Sequence, residues 1–254
     1  MSDCQRYRLV LAYDGTDFHG WQRQEPPDAP ALRTVQGVVG DTLQRVLRQP
    51  IKLVGASRTD AGVHAQGQVA HFDVGATAIP FERWRRAVND RLPDDIDIRD
   101  IAPVRADFDA IADALTKQYR YHLFVGQRKP LMHRRTAYPC RYLLDIDRMN
   151  DAARRLVGTH DVHGLAAASH GRENTVRTLH HCDVSQVEDL VTLTVEGSGF
   201  LYHMVRIIAG TLLEVGRGHF PPSRIDEILA SRDRQLAGPT LEPQGLCLQW
   251  IKHR

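Results

Sequence analysis

The chain has 254 residues, 42% hydrophobic and 25% charged, with 33 lysines and arginines against 31 aspartates and glutamates, a formal charge of +2. That excludes a disordered or low-complexity chain and fits one large or two small domains whose core needs neither disulfides nor a structural metal. Cys4, Cys140, Cys182 and Cys247 form no C-x-x-C pair, Ser2 to Arg6 is too polar for a signal peptide, and no stretch reaches the roughly 20 apolar residues of a membrane span, so the expectation is a cytoplasmic protein without membrane, metal or disulfide framework.

In chain order, Tyr7, Leu9, Leu11 and Tyr13 alternate with Arg8, Val10 and Ala12 and predict a strand that turns at Asp14-Gly15-Thr16. Val35, Val38, Val39, Thr42, Leu43, Val46 and Leu47 recur at helical spacing behind Thr34 as N-cap, with Pro50 as the stop. Gln68 to Val74 predicts another strand, and Phe81, Trp84, Val88 and Leu92 a helix entered through Pro80 and closed before Pro93. After an acidic stretch from Asp94 to Asp113, Gln118 to Val125 predicts a long strand. Asp147 to Val157 predicts a helix with Met149, Ala153, Leu156 and Val157 inward. Val191, Leu193 and Val195 mark a strand, and after Gly197-Ser198-Gly199 comes an apolar helix from His203 to Val215 with Gly216 as cap. A short helix from Ser223 carries Asp226 in capping-box position.

Strands and helices interleave throughout, which points to an α+β fold. The hydrophobic pattern lapses near residue 108, so two related mixed α/β domains are expected, 1–108 and 109–254, with antiparallel-rich sheets and a central cleft for the ligand. Between Asp113 and Asp145 no acidic residue occurs, while Lys117, Arg120, Arg128, Lys129, Arg134, Arg135 and Arg141 supply seven positive charges. Such a block is a footprint for phosphates, or else a solvated face in an arginine-rich chain.

The segment Gly55 to Ala65 has almost no large apolar side chain and reads as a loop. Its Arg58 and Asp60 set a permanent cation two residues from a carboxylate, which suits an ionised nucleophile. A structural turn with a surface ion pair would carry the same residues. The segment alone leaves both open.

Taken together, Tyr13 to Gln22, Thr34-Val35-Gln36-Gly37, Ser57 to Ala65, Lys117 to Tyr121, Gly199 to Arg206, and Gly238-Pro239-Thr240 with Gly245-Leu246 resemble, in order and spacing, the bacterial tRNA pseudouridine synthase A family. The resemblance spans nearly the whole chain and implies the pseudouridine synthase fold, with a central RNA-binding cleft. It implies that Asp60 is the catalytic aspartate, attacking either the ribose or the uracil ring so that the base detaches, rotates and rejoins through carbon. Tyr119 matches a tyrosine that stacks on the target base, Arg206 an arginine that pairs with the aspartate, and Leu246 an apolar residue against the flipped base. By themselves Tyr119 and Leu246 read as core residues. Arg206 is the one formal charge between Glu196 and Glu214, in an otherwise apolar helix, and so needs a partner.

The resemblance further implies a tRNA substrate at positions 38, 39 and 40 of the anticodon arm, and a homodimer. No cofactor is expected, because isomerising a glycosidic bond involves no net redox change. Two departures from the family pattern stand out: Gln118 replaces a hydroxyl residue, and His160 to Leu165 lacks the usual phenylalanines, with Val162 and Leu165 among its apolar positions. Both bear on packing or substrate fit more than on Asp60, Tyr119 and Arg206. Three rival readings compete. Gly197-Ser198-Gly199 is an incomplete dinucleotide fingerprint, His64, His71, Asp60, His160 and His163 form no recognised ligand set, and an RNA-binding protein without catalysis has no need of Asp60.

Overall fold

The computed structural model describes residues 4–27, 30–128 and 130–254. They form two compact units, one running to Leu115 and including Leu248–Arg254, the other Thr116–Cys247. The first therefore continues past residue 108, where the apolar pattern stops. Polar contacts hold that extension: Asp113 accepts from Asp109 N (2.9 Å) and pairs with Arg105, its carbonyl accepts from Arg254 N (3.2 Å), and Ala110 N donates to His71 Nδ1 (3.0 Å). Hydrogen bonds do there what a hydrophobic count cannot register.

In the first unit, β1 (Gln5–Tyr13), β3 (His64–Val74), β4 (Ile96–Pro103) and β10 (Leu246–His253) lie in the order β4-β1-β3-β10, and β2 (Val54–Gly55) pairs with β3. The pairs β1/β3, β1/β4 and β2/β3 are antiparallel. Tyr7, Leu9 and Leu11 sit opposite Phe72, Ala70 and Gln68, so one face of the pleat is continuous. On it Tyr7 meets the rings of Phe72 at 5.8 Å and Trp84 at 4.8 Å.

β4 is absent from the sequence expectation because its alternation breaks. Val10 pairs with Asp100 and Leu11 with Ile98, so Arg99 is an extra residue, and Ile96 and Ile98 fall out of phase with Ile101. Helix α1 (Val35–Leu47) starts where expected, the Thr34 hydroxyl accepting from Gly37 N, and buries Val35, Val39, Leu43, Val46 and Leu47. The second expected helix is shorter. A 3-10 turn over Phe81–Arg83 leads into α2 (Trp84–Asn89), which stops short of Leu92.

The second unit orders β5 (Ala114–Val125), β9 (Leu190–Gly197), β8 (Val176–Val187) and β7 (Gly158–Asp161) as β5-β9-β8-β7, all antiparallel, with the short β6 (Tyr138–Cys140) parallel to β5. β8 escapes a periodicity argument because Arg177, His180, His181 and Gln186 leave few buried positions in it. Helix α3 (Ile146–Arg154) is capped by Asp145, and Asn150 clamps the backbone of Val184 with bonds of 2.7 and 2.8 Å. It ends three residues before Val157, which is 42% exposed rather than inward.

Helix α4 (Met204–Gly216) is buried almost all round, as its apolar composition requires. Gly216 is its last residue and not a left-handed cap. A Cβ there would stand 2.6 Å from Met149 Sδ, so close packing on α3 selects glycine, while the left-handed turn falls at Gly218 (φ 80°). Helix α5 (Arg224–Ser231) begins after Ser223 without the expected capping box, since the Ser223 side chain caps nothing. Val162 and Leu165 are fully buried, so smaller apolar residues fill that part of the core. The architecture is α+β with mostly antiparallel pairing, as the sequence indicated.

Candidate active site

Asp60 opens a four-residue turn. Val63 N donates to its carbonyl at 3.1 Å, and Gly62 supplies the positive φ (79°) that the third position of a type II turn demands. The loop proper is shorter than the sequence suggests, since Gly55 belongs to β2 and His64 and Ala65 to β3. Ala65 is small yet buried, which is why a count of large apolar residues placed it outside the strand.

Thr59, Gly62 and Val63 around Asp60 are all held by hydrogen bonds. The Thr59 hydroxyl is bonded to Tyr13 OH (2.8 Å) and the Thr59 carbonyl accepts from Trp21 N (3.0 Å). Gly62 N donates to Phe18 O (3.3 Å). Gln68, fully buried in β3, donates to Ser57 O (2.6 Å) and accepts from Ser57 N (3.3 Å). His64 accepts from Gly15 N through Nδ1 (3.1 Å). Two glycines are dictated by the same contacts: a Cβ on Gly15 would stand 2.0 Å from Val63 O, and one on Gly20 (φ 83°) 2.7 Å from Thr59 O. The segment Tyr13 to Trp21 is thus the cradle of the Asp60 turn.

Gln36 ties helix α1 into the same frame, accepting from Arg23 N (2.8 Å) and donating to Leu53 O (2.8 Å). Asp60 itself is half-buried and Arg58 is exposed. Gln68, Tyr13 and Trp21 were not singled out as site residues in the sequence. A glutamine facing inward in an otherwise apolar strand was the available signal, because a buried amide must be spoken for.

In the second unit Tyr119 is buried on β5 opposite Val195, and the ring of Phe200 meets it edge-on at 5.1 Å. Arg206, half-buried on α4, donates from Nε to the Leu241 carbonyl (2.7 Å), and Leu241 N returns a bond to Arg206 O (3.3 Å). The close approach of this strap to α4 depends on glycine at both ends. A Cβ on Gly210 would lie 1.9 Å from Pro239 O, and one on Gly238 2.6 Å from Gly210 C. Tyr121 OH donates to Glu242 O (2.7 Å), and Gly245 has room for nothing larger against that ring. Leu246 is buried at the start of β10.

The basic block divides. Arg120, Arg128, Arg134, Arg135 and Arg141 are exposed, whereas Lys117 is half-buried and its ammonium is lowered to about 8 by burial. Lys129 lies outside the described residues. The exposed arginines share their segment with Leu131, Met132 and Leu143, which are 68%, 90% and 89% exposed.

The dinucleotide rival loses its geometric basis. β8 and β9 are antiparallel and α4 begins only at Met204, so Gly197-Ser198-Gly199 does not sit in a parallel strand–turn–helix unit. His64 and His71 each spend Nδ1 on a backbone N–H.

The family model described as tRNA pseudouridine synthase matches residues 9–111 and 152–252, which include Asp60, Arg206 and Leu246. The chain belongs to the tRNA pseudouridine synthase family. It is 46% identical to tRNA pseudouridine synthase A of Brevibacillus brevis over 244 residues, 96% of this chain and 98% of that one. The Geobacillus kaustophilus protein of the same name is 42% identical, covering 96% of this chain and 93% of its own, and that of Shouchella clausii 44%, covering 98% and 93%. A pseudouridine synthase is an isomerase that acts on a uridine within an RNA chain.

Proposed function

We propose that this chain isomerises uridine to pseudouridine at positions 38, 39 and 40 of the tRNA anticodon stem-loop, with Asp60 as the attacking carboxylate and no cofactor. The observation that carries the reading is the immobilisation of the Asp60 turn. Thr59, Gly62 and Val63 are all bonded, and a nucleophile held in one position saves the entropy of orienting it. Tyr119, braced by Phe200, supplies a flat face for the extruded uracil, and Arg206, oriented through its Nε, supplies a fixed cation for the substrate. Leu246 packs against the base and Arg58 meets the substrate from its exposed place in the loop. Extrusion of the target base costs a few kcal/mol, and least in a loop or at a stem end, which suits the anticodon arm. Arg120, Arg128, Lys129, Arg134, Arg135 and Arg141, with Lys117, grip the phosphates and position the stem by shape. The working unit is a homodimer.

The test is Asp60→Asn. Bulk tRNA binding is expected to stay at the wild-type level, and pseudouridine in the anticodon arm, read by pseudouridine-specific chemical labelling, is expected to vanish. Product at the wild-type level from this variant would remove Asp60 from the reaction.

A further inference from the structure

The first unit holds a cavity of about 700 Å³ that takes no part in bracing the Asp60 turn. Gly67 and Val69 of β3 line it together with Arg8 and Val10 of β1. Successive strand residues point to opposite faces, so it opens on the face away from Gln68, the residue that holds Ser57. Gly67 has no room for a side chain, since its Cβ would stand 2.6 Å from Gln249 O, and that leaves the floor low beside Val10 and Val69.

Around this apolar floor stand four cations, Arg8, Arg105, Lys252 and Arg254, and none of the lining residues is acidic. Three carboxylates neutralise part of that charge: Asp100 pairs with Arg8 (2.8 Å), and Asp107 (3.0 Å) and Asp113 with Arg105. The balance stays positive. The Arg8 Nε–H, buried beneath the surface, also has no hydrogen-bond acceptor among the described residues. Lys252 Nζ stands 4.5 Å from the Trp250 ring centroid, so an exposed ammonium and a half-buried indole act at one spot.

We propose that this cavity is a second RNA contact, taking one unpaired base against Trp250 and its phosphodiester against Lys252; it rests on the reading that the substrate is tRNA. An aromatic face beside cations over an apolar floor is the recurring solution for a single-stranded nucleotide, because every base has a π-face and every linkage a charge. A contact on this face adds to the hold on the tRNA without touching the chemistry at Asp60.

The protein carries its own reporter. Of its three tryptophans, Trp21 and Trp84 are 1% and 3% exposed, and Trp250 is half-buried. Titrating the intact protein with bulk tRNA is expected to quench tryptophan fluorescence, and Trp250→Phe is expected to abolish the quench. The exposed Lys252→Gln is expected to raise KM for tRNA about fivefold with kcat unchanged, and to lower the slope of log affinity against log salt by roughly 0.7 to 0.9. A quench that survives Trp250→Phe overturns the proposal, as does an unchanged KM and slope in Lys252→Gln, or a quench that uridine monophosphate produces as well as tRNA does. A change of solution mass in either variant would make the face a contact between copies of this chain and overturns it too. If the wild type makes no pseudouridine yet Trp250 is quenched by tRNA, the catalytic reading fails and the RNA contact stands.

Discussion

The two units immobilise their candidate site residues in different ways. In the first, Asp60 sits in a turn fastened by short polar bonds from groups remote in sequence: the Tyr13 hydroxyl to Thr59, the Gln68 amide to Ser57, and the Trp21 backbone N–H to the Thr59 carbonyl. In the second, Tyr119 and Arg206 belong to regular elements, a strand and a helix, and are steadied by ring packing and by a strap whose Gly238 presses on Gly210 of α4. A loop has no ladder of its own and must borrow hydrogen bonds to become rigid, whereas a residue on a strand or helix inherits rigidity and needs only its rotamer set. Damage to the first arrangement is therefore expected to appear as lost rate, and damage to the second as lost stability.

Gly15→Ala tests this most sharply. Its new methyl would meet Val63 O, so the Asp60 turn must move. A displacement of about 1 Å at a reacting group costs on the order of a hundredfold, so kcat is expected to fall by about that factor while tRNA binding holds. An unchanged kcat would show that the cradle does not position Asp60.

Gly210→Ala applies the same insult to the second unit, against Pro239 O. It is expected to destabilise the fold by about 1 to 3 kcal/mol in denaturant titration, the range for overpacking, with kcat of the folded fraction within about threefold of wild type. A larger loss of rate than of stability would break the contrast.

Removing Arg134 and Arg135 together reaches neither arrangement, since both side chains are exposed. Binding is expected to weaken, and the salt slope to fall by up to about 0.7 to 0.9 for each lost phosphate contact. An unchanged slope would leave these arginines without a role in RNA binding.

The smallest expected effect is at His71, whose pKa burial lowers and whose Nδ1 accepts from Ala110 N. The unfolded chain takes up this proton as pH falls through about 6.5 and the folded chain only at lower pH, so the contribution to stability is present above that range and lost below it. The melting temperature of His71→Asn is expected to respond less to acidification between about pH 6.5 and 5 than that of the wild type. Parallel curves would assign the acid sensitivity elsewhere.

Much of this could be read from the chain alone. Strand β1 and helix α1 follow directly from side-chain period and from the Thr34 cap, because both patterns are local. The Asp60 segment announced itself by small residues and paired charges, and its neighbours in the family motifs by order. What escaped was non-local. β4 hid behind the bulge at Arg99, and the polar extension to Leu115 is held by Asp113 and His71 from distant positions. Gly216 looked like a cap and proved to be a packing contact with Met149. Lys117 counted as one more surface cation until burial set it apart from the arginines.

Asp60 could be nominated from sequence because the family motif around it can be matched residue by residue. That it is rigid could not, since the bonds that make it so run from Tyr13, Trp21 and Gln68, and which of these meet which part of the loop is settled only when β1 and β3 pair in register. The cavity at Trp250 belongs wholly to that second kind of knowledge. Arg8, Arg105 and Lys252 are scattered along the sequence, and only the order β4-β1-β3-β10 brings β1, the end of β4 and β10 to one face.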